Sequence, residues 1–194
     1  MLRPILISVA VLTGSCLTIS STAQTAATVP LPPATKLESF NTNVSSVIFR
    51  ASSDLGSISV NTGVLVVKCR EITDTVTGHK EQGMAMQIAQ KDQPEDRLLI
   101  DYDEIASLTT AIDYLTKLDV SMTPLNSFDA SYTTKGGFRL AALGSRRTGV
   151  IQFSIRDARI SMSPLIFSRQ ELAQLGTLVD QAKTTLDSLR QRGG

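Results

Sequence analysis

Tryptophan is missing from the chain, histidine occurs once, at His79, and cysteine twice, at Cys16 and Cys69. That count excludes zinc sites built from cysteine and histidine. A nucleophile activated by histidine would have to use His79, which lies between Gly78 and Lys80 in an expected polar turn, the place of a solvated loop residue. Glycine-rich phosphate loops are lacking as well. Gly136, Gly137, Gly144 and Gly149 fall between expected strands, not where a strand runs into a helix. Neither sign of charge dominates: 19 Lys and Arg stand against 18 Asp and Glu, so bulk attraction to nucleic acid or an anionic membrane is not expected.

Long apolar runs are scarce too. The one from Ile5 to Leu12 is too short to span a bilayer, but it follows Arg3 and precedes small and polar residues ending Ser21-Thr22-Ala23. This is the pattern of a signal peptide over residues 1–23, cleaved after Ala23, and it predicts export to a periplasm or the extracellular space. Loss of Arg3 would leave equal numbers of basic and acidic residues. Cys16 raises the alternative of lipid attachment, which would make the membrane a partner through an anchor. The preceding triad is Thr13-Gly14-Ser15, with Leu12 one place too far upstream, which disfavours it. Cleavage after Ala23 would leave Cys69 as the one thiol, unable to form an internal disulfide. In VLVVKCREI it shares a strand face with Leu65 and Val67 and reads as a small buried apolar residue.

What the chain does have is a repeat. LLIDYDEIASLTTAIDYLTKL from Leu98 returns 67 residues later as LIFSRQELAQLGTLVDQAKTT from Leu165, with Leu98, Glu104, Ala106, Leu108, Thr110 and Asp113 meeting Leu165, Glu171, Ala173, Leu175, Thr177 and Asp180. Each copy passes from a short apolar strand through a polar cap into a helix. Asp101 with Glu104 and Ser168 with Glu171 have the spacing of a capping box. Apolar residues follow at helical spacing: Ile105, Leu108, Ile112 and Leu115, then Leu172, Leu175, Val179 and Ala182.

Upstream of each copy lie β-patterned stretches. In the first unit these are Val44 to Arg50, a turn at Ser52-Ser53-Asp54-Leu55-Gly56, a short piece from Ser57 to Val60, then Val64 to Thr73 and Gln82 to Gln90. In the second they are Phe128 to Thr133, Phe138 to Ala142, Ile151 to Arg156, and Arg159 to Met162 before Pro164. The expected fold is α+β, an internal duplication of a ββββα unit with antiparallel sheets and one long helix after each, packed as one pseudo-twofold domain. Residues 24–36, with Pro30, Pro32 and Pro33, read as a disordered arm, 37–120 as the first unit, 121–127 as a connection and 128–194 as the second unit.

Asp101, Asp103 and Glu104 form one acidic cluster, explained most simply by the positive end of the following helix. No catalytic, metal or cofactor residue is expected. From Phe128 to Phe167, Lys135, Arg139, Arg146, Arg147, Arg156 and Arg159 outnumber Asp129 and Asp157, giving a local excess of four positive charges. Alternation puts Arg139, Arg156 and Arg159 on the face away from Phe138, Phe153 and Ile160, beside Gln152, Ser154, Ser161 and Ser163. That face is the candidate surface for an anionic macromolecule.

IDYDEI at Ile100 to Ile105 and YTTKGGF at Tyr132 to Phe138 resemble recurrent elements of a group of uncharacterised exported bacterial proteins. The group brings no assigned activity with it. In topology alone, the tandem ββββα plan is similar to Whirly-type folds that bind single-stranded nucleic acid. Lys135-Gly136 resembles the start of their Lys-Gly-Lys signature, with Gly137 in place of the second lysine. The favoured expectation is an exported, non-enzymatic binding or structural module with a macromolecular partner or anionic surface. A single-stranded nucleic-acid binder is the alternative by fold analogy, disfavoured by the address and neutral charge. A small-molecule or lipid carrier with a pocket between sheet and helices is the third.

Overall fold

The computed structural model describes residues 32–91, 96–160 and 163–192. The expected leader, Cys16 and the expected arm as far as Leu31 lie outside the described residues. A short helix α1 (Lys36–Ser39) and a 3₁₀ turn (Phe40–Thr42) precede a first antiparallel sheet of β1 (Ile48–Val60), β2 (Gly63–Asp74), β3 (Lys80–Ala89) and β4 (Asp96–Asp101), in that spatial order. Helix α2 (Ile105–Thr116) follows through a 3₁₀ turn (Tyr102–Glu104). The plan then repeats as β5 (Ser127–Thr133), β6 (Phe138–Ser145), β7 (Val150–Asp157), β8 (Leu165–Phe167) and α3 (Arg169–Arg192). This is an α+β fold with two four-stranded antiparallel sheets, each followed by a helix, consistent with a duplicated ββββα unit.

Alternation along the strands decides which face is covered. Leu65, Val67 and Cys69 on β2, Met84, Met86 and Ile88 on β3, and Leu98 and Ile100 on β4 are buried, as are Leu140, Ala142, Phe153 and Ile155 in the second sheet. They join Leu108, Ile112, Leu175 and Val179 of the helices in one core cluster. Helix α3 lies against β1, β2 and β3 of the other unit's sheet, α2 touches β5, and the two helices pack on each other. Arg169 at the start of α3 donates to the carbonyls of Thr116 and, at 2.8 Å, Leu118, satisfying the exposed end of α2. The first hairpin tip of each unit meets the last strand or helix start of its sister. Ile166 N–H donates to Thr62 Oγ1 at 3.1 Å, and Lys135 N–H to Glu104 Oε1 at 2.8 Å.

Four local expectations are corrected. The residues expected to turn at Ser52 to Gly56 continue β1, with a bulge between Asp54 and Gly56 where Leu178 of α3 presses close. The fourth strand of the second sheet is Leu165–Phe167, and Arg159 lies in a bend before it. Ser168 and Glu171 form the expected capping box, exchanging bonds of 3.2 and 2.6 Å, but Asp101 and Glu104 do not. Asp101 accepts instead from Lys36 N–H and Leu37 N–H at 2.9 and 3.2 Å, and Glu104 from Lys135 N–H, because neighbouring segments bring their own unsatisfied donors to both carboxylates. Finally, Thr35 and Lys36, read as the end of a mobile arm, belong to the fold: Thr35 is buried and caps α1 through Glu38 N–H.

Candidate anion-binding faces

The outer face of the second sheet carries the expected arginines, but the structure divides them. Arg139 on β6 and Arg156 on β7 are direct cross-strand partners, flanked by Thr133 opposite Arg139 on β5. Arg139 donates to Ser131 Oγ at 3.3 Å, and Arg156 is exposed with no partner among the described residues. Like charges placed opposite one another weaken a sheet, so this pair gains from any anion that bridges it.

The other four basic residues do not join them. Arg146 and Arg147 occupy the tip between β6 and β7, about 20 Å along the strand from Arg139. Arg146 donates to Pro124 O at 3.0 Å and frames the tip with Asn126 and Ser127. Lys135 pairs with Asp103 at 3.4 Å, which also holds Lys36 at 3.2 Å. Burial pushes the Asp103 carboxyl up, but the two lysines more than offset this and hold it below its ordinary value. Arg159 is bound to Glu38 at 2.6 Å and Asp157 at 3.3 Å, clamping α1 to the second unit. Burial works against its charge, and those carboxylates more than restore it, keeping the guanidinium pKa above normal. Gly137, at φ +88°, lets the hairpin fit beneath this clamp, since a Cβ there would stand 2.7 Å from both Arg159 Nε and Asp157 Oδ1.

The acidic cluster is consumed in the same way. Asp101 is buried against α1, Asp103 serves the lysines, and one Glu104 oxygen serves the hairpin tip. Among the described residues no group of three or more His, Cys, Asp or Glu could hold a metal ion. His79 is not simply solvated: its ring stacks on Phe40 at 5.3 Å and its Nε2 lies 3.6 Å from Glu81. Cys69 is buried as expected, with Sγ 3.8 Å from Ala182 O, and burial pushes its thiol up to about 11.

A second basic cluster escaped the sequence reading. On the outer face of the first sheet, Arg50 of β1, Arg70 of β2 and Arg97 of β4 line a recess of about 320 Å³ together with Glu38, Asn41, Ile72 and Leu99. Alternation in VLVVKCREI puts Arg70 opposite Cys69, but only strand order brings Arg50 and Arg97 to it. Arg50 donates to Asn41 Oδ1 at 3.0 Å. Arg70 Nε is buried and has no hydrogen-bond partner among the described residues. Burial, and then the charges of Arg97 and Arg50, lower the Arg70 pKa from its ordinary value.

Between sheets and helices the buried side chains form one core cluster, and an apolar recess of about 320 Å³ opens where Ala51, Cys69, Thr185 and Leu189 meet. No described helix is long and apolar enough to cross a membrane. Comparison with protein-family models, curated proteins and solved structures gives no match.

Proposed function

We propose that this chain is an exported, non-enzymatic binding module that holds an anionic macromolecule or surface against the outer face of its second sheet. The observation that carries the reading is the register of Arg139 against Arg156, two guanidiniums facing outward from adjacent strands among Ser131, Thr133 and Ser154. Hydroxyls and paired guanidiniums suit sulfate, phosphate or carboxylate groups on a flexible chain. The candidate acid and base groups His79, Asp101 and Glu104 support a non-enzymatic role, because each is engaged in holding segments together.

The nucleic-acid alternative draws less support. Aromatic platforms for stacking bases are its usual partner, and Phe128, Tyr132, Phe138, Phe153 and Phe167 all pack on the core side of the second sheet. Retention on heparin checks the main reading. Replacing both Arg139 and Arg156 by Ser is expected to move elution to markedly lower salt, and unchanged retention would reject the face. A labelled oligonucleotide at 50 and 200 mM salt provides the contrast, because phosphate-driven binding weakens steeply over that interval.

A further inference from the structure

We infer that Arg50, Arg70 and Arg97 form a second, separate binding site for a small ligand bearing a tetrahedral oxyanion, a phosphate group above all. Three cationic side chains from three strands converge on one concave recess. Folding brings these like charges together against their mutual repulsion, and the cost falls when an anion sits among them. Arg70 is the centre of the arrangement. Its Nε–H is withdrawn from solvent with no acceptor among the described residues, and a buried donor of this kind is destabilising until it is paired. A phosphate oxygen supplies that acceptor and still leaves oxygens for Arg50 and Arg97, as guanidinium forks bind phosphate well.

Glu38, the carboxylate among the lining residues, is engaged elsewhere. Glu38 Oε1 is held by Arg159 and Oε2 accepts from Ala34 N–H at 2.9 Å. The rest of the lining favours more than a bare ion. Ile72 and Leu99 give an apolar floor, Asn41 a polar rim, and about 320 Å³ exceeds the roughly 30 Å³ share of one water many times over. A phosphomonoester whose organic part is the size of glycerol or a small sugar fits that description. The site lies on the first sheet, so its success or failure is independent of the Arg139 and Arg156 face.

Titration with inorganic phosphate and, in a second arm, glycerol 3-phosphate, each at constant ionic strength against chloride, tests the site through the arginine Nε–H resonances of labelled protein. A saturable shift of the Arg70 signal is expected with at least one probe, tighter for the ester if the ligand is organic and tighter for phosphate if it is the free ion. Arg50→Gln and Arg97→Gln should each weaken binding by about tenfold, equal to about 1.4 kcal/mol. Arg139→Ser with Arg156→Ser should leave it unchanged. Arg70→Lys keeps the charge but lacks the Nε donor, and should lose most of the affinity. A shift that matches chloride and never saturates, or saturable binding that ignores the Arg50 and Arg97 changes, would overturn the proposal.

Discussion

Cys69 shows how far a single residue can be read and where its surroundings take over. Alternation with Leu65 and Val67 is enough to place it inside, and the structure adds that Ala182 of α3, 113 positions away, closes over its sulfur. Its thiol is raised from 9.0 to about 11 because the buried thiolate is poorly solvated. The folded state therefore keeps its proton where the unfolded chain loses it. The stability tied to this group is present below pH 9 and drains away as pH rises toward 11. Native protein at pH 8 should react with a thiol reagent far more slowly than protein in denaturant, and its denaturation midpoint should fall between pH 9 and 11 by more than that of Cys69→Ala. Equal reactivity in the two states would contradict the burial. Glu104 was less legible: its spacing from Asp101 matches that of Glu171 from Ser168, but the hairpin at Lys135 that claims it is visible only in three dimensions.

At the scale of elements, hydrophobic period recovered the strands and helices, while the contacts between them decided the details. Gly56 and its polar neighbours look like a turn because small and hydroxylated residues dominate, but this chain uses them for a bulge under Leu178, 2.9 Å from where a Gly56 Cβ would stand. Likewise Asp101 looks like the cap of its own helix and serves α1 instead. Two backbone donors, that of Leu37 buried and that of Lys36 partly so, depend on it, so Asp101→Ala should cost about 1–3 kcal/mol in denaturant unfolding. The same change should speed proteolysis near α1, since Leu37 and Phe40 lose their tether against Ile72. Ser168→Ala, at a cap exposed to solvent, should cost about 1 kcal/mol and leave the α1 region protected. If the two variants lost equal stability with no difference at α1, Asp101 would not be the tie between the N-terminal segment and the first sheet. The Arg50, Arg70 and Arg97 recess belongs to this scale as well, because strand order, absent from any local pattern, is what assembles it.

For the whole molecule, the repeat announced two similar units, but not that each helix would reach across. Leu178 and Ala182 of α3 lie on the first sheet, Ser107 of α2 meets Tyr132 of β5 at 2.8 Å, and Arg169 closes the end of α2. A fragment ending at Val120 would thus leave the core faces of β1, β2 and β3 uncovered, and one beginning at Ser127 would carry α3 without the sheet it lies against. Burial of apolar area is the main term that offsets chain entropy, and each fragment forfeits the part that its sister provides. Neither fragment alone should unfold cooperatively in urea. Mixed in equal amounts they should regain a single transition, because α3 can cover the first sheet without being covalently joined to it. A sharp transition in the first fragment by itself, with a slope in keeping with its length, would mean that α2 suffices to cover its own sheet and that the exchange of helices is not what holds the halves together.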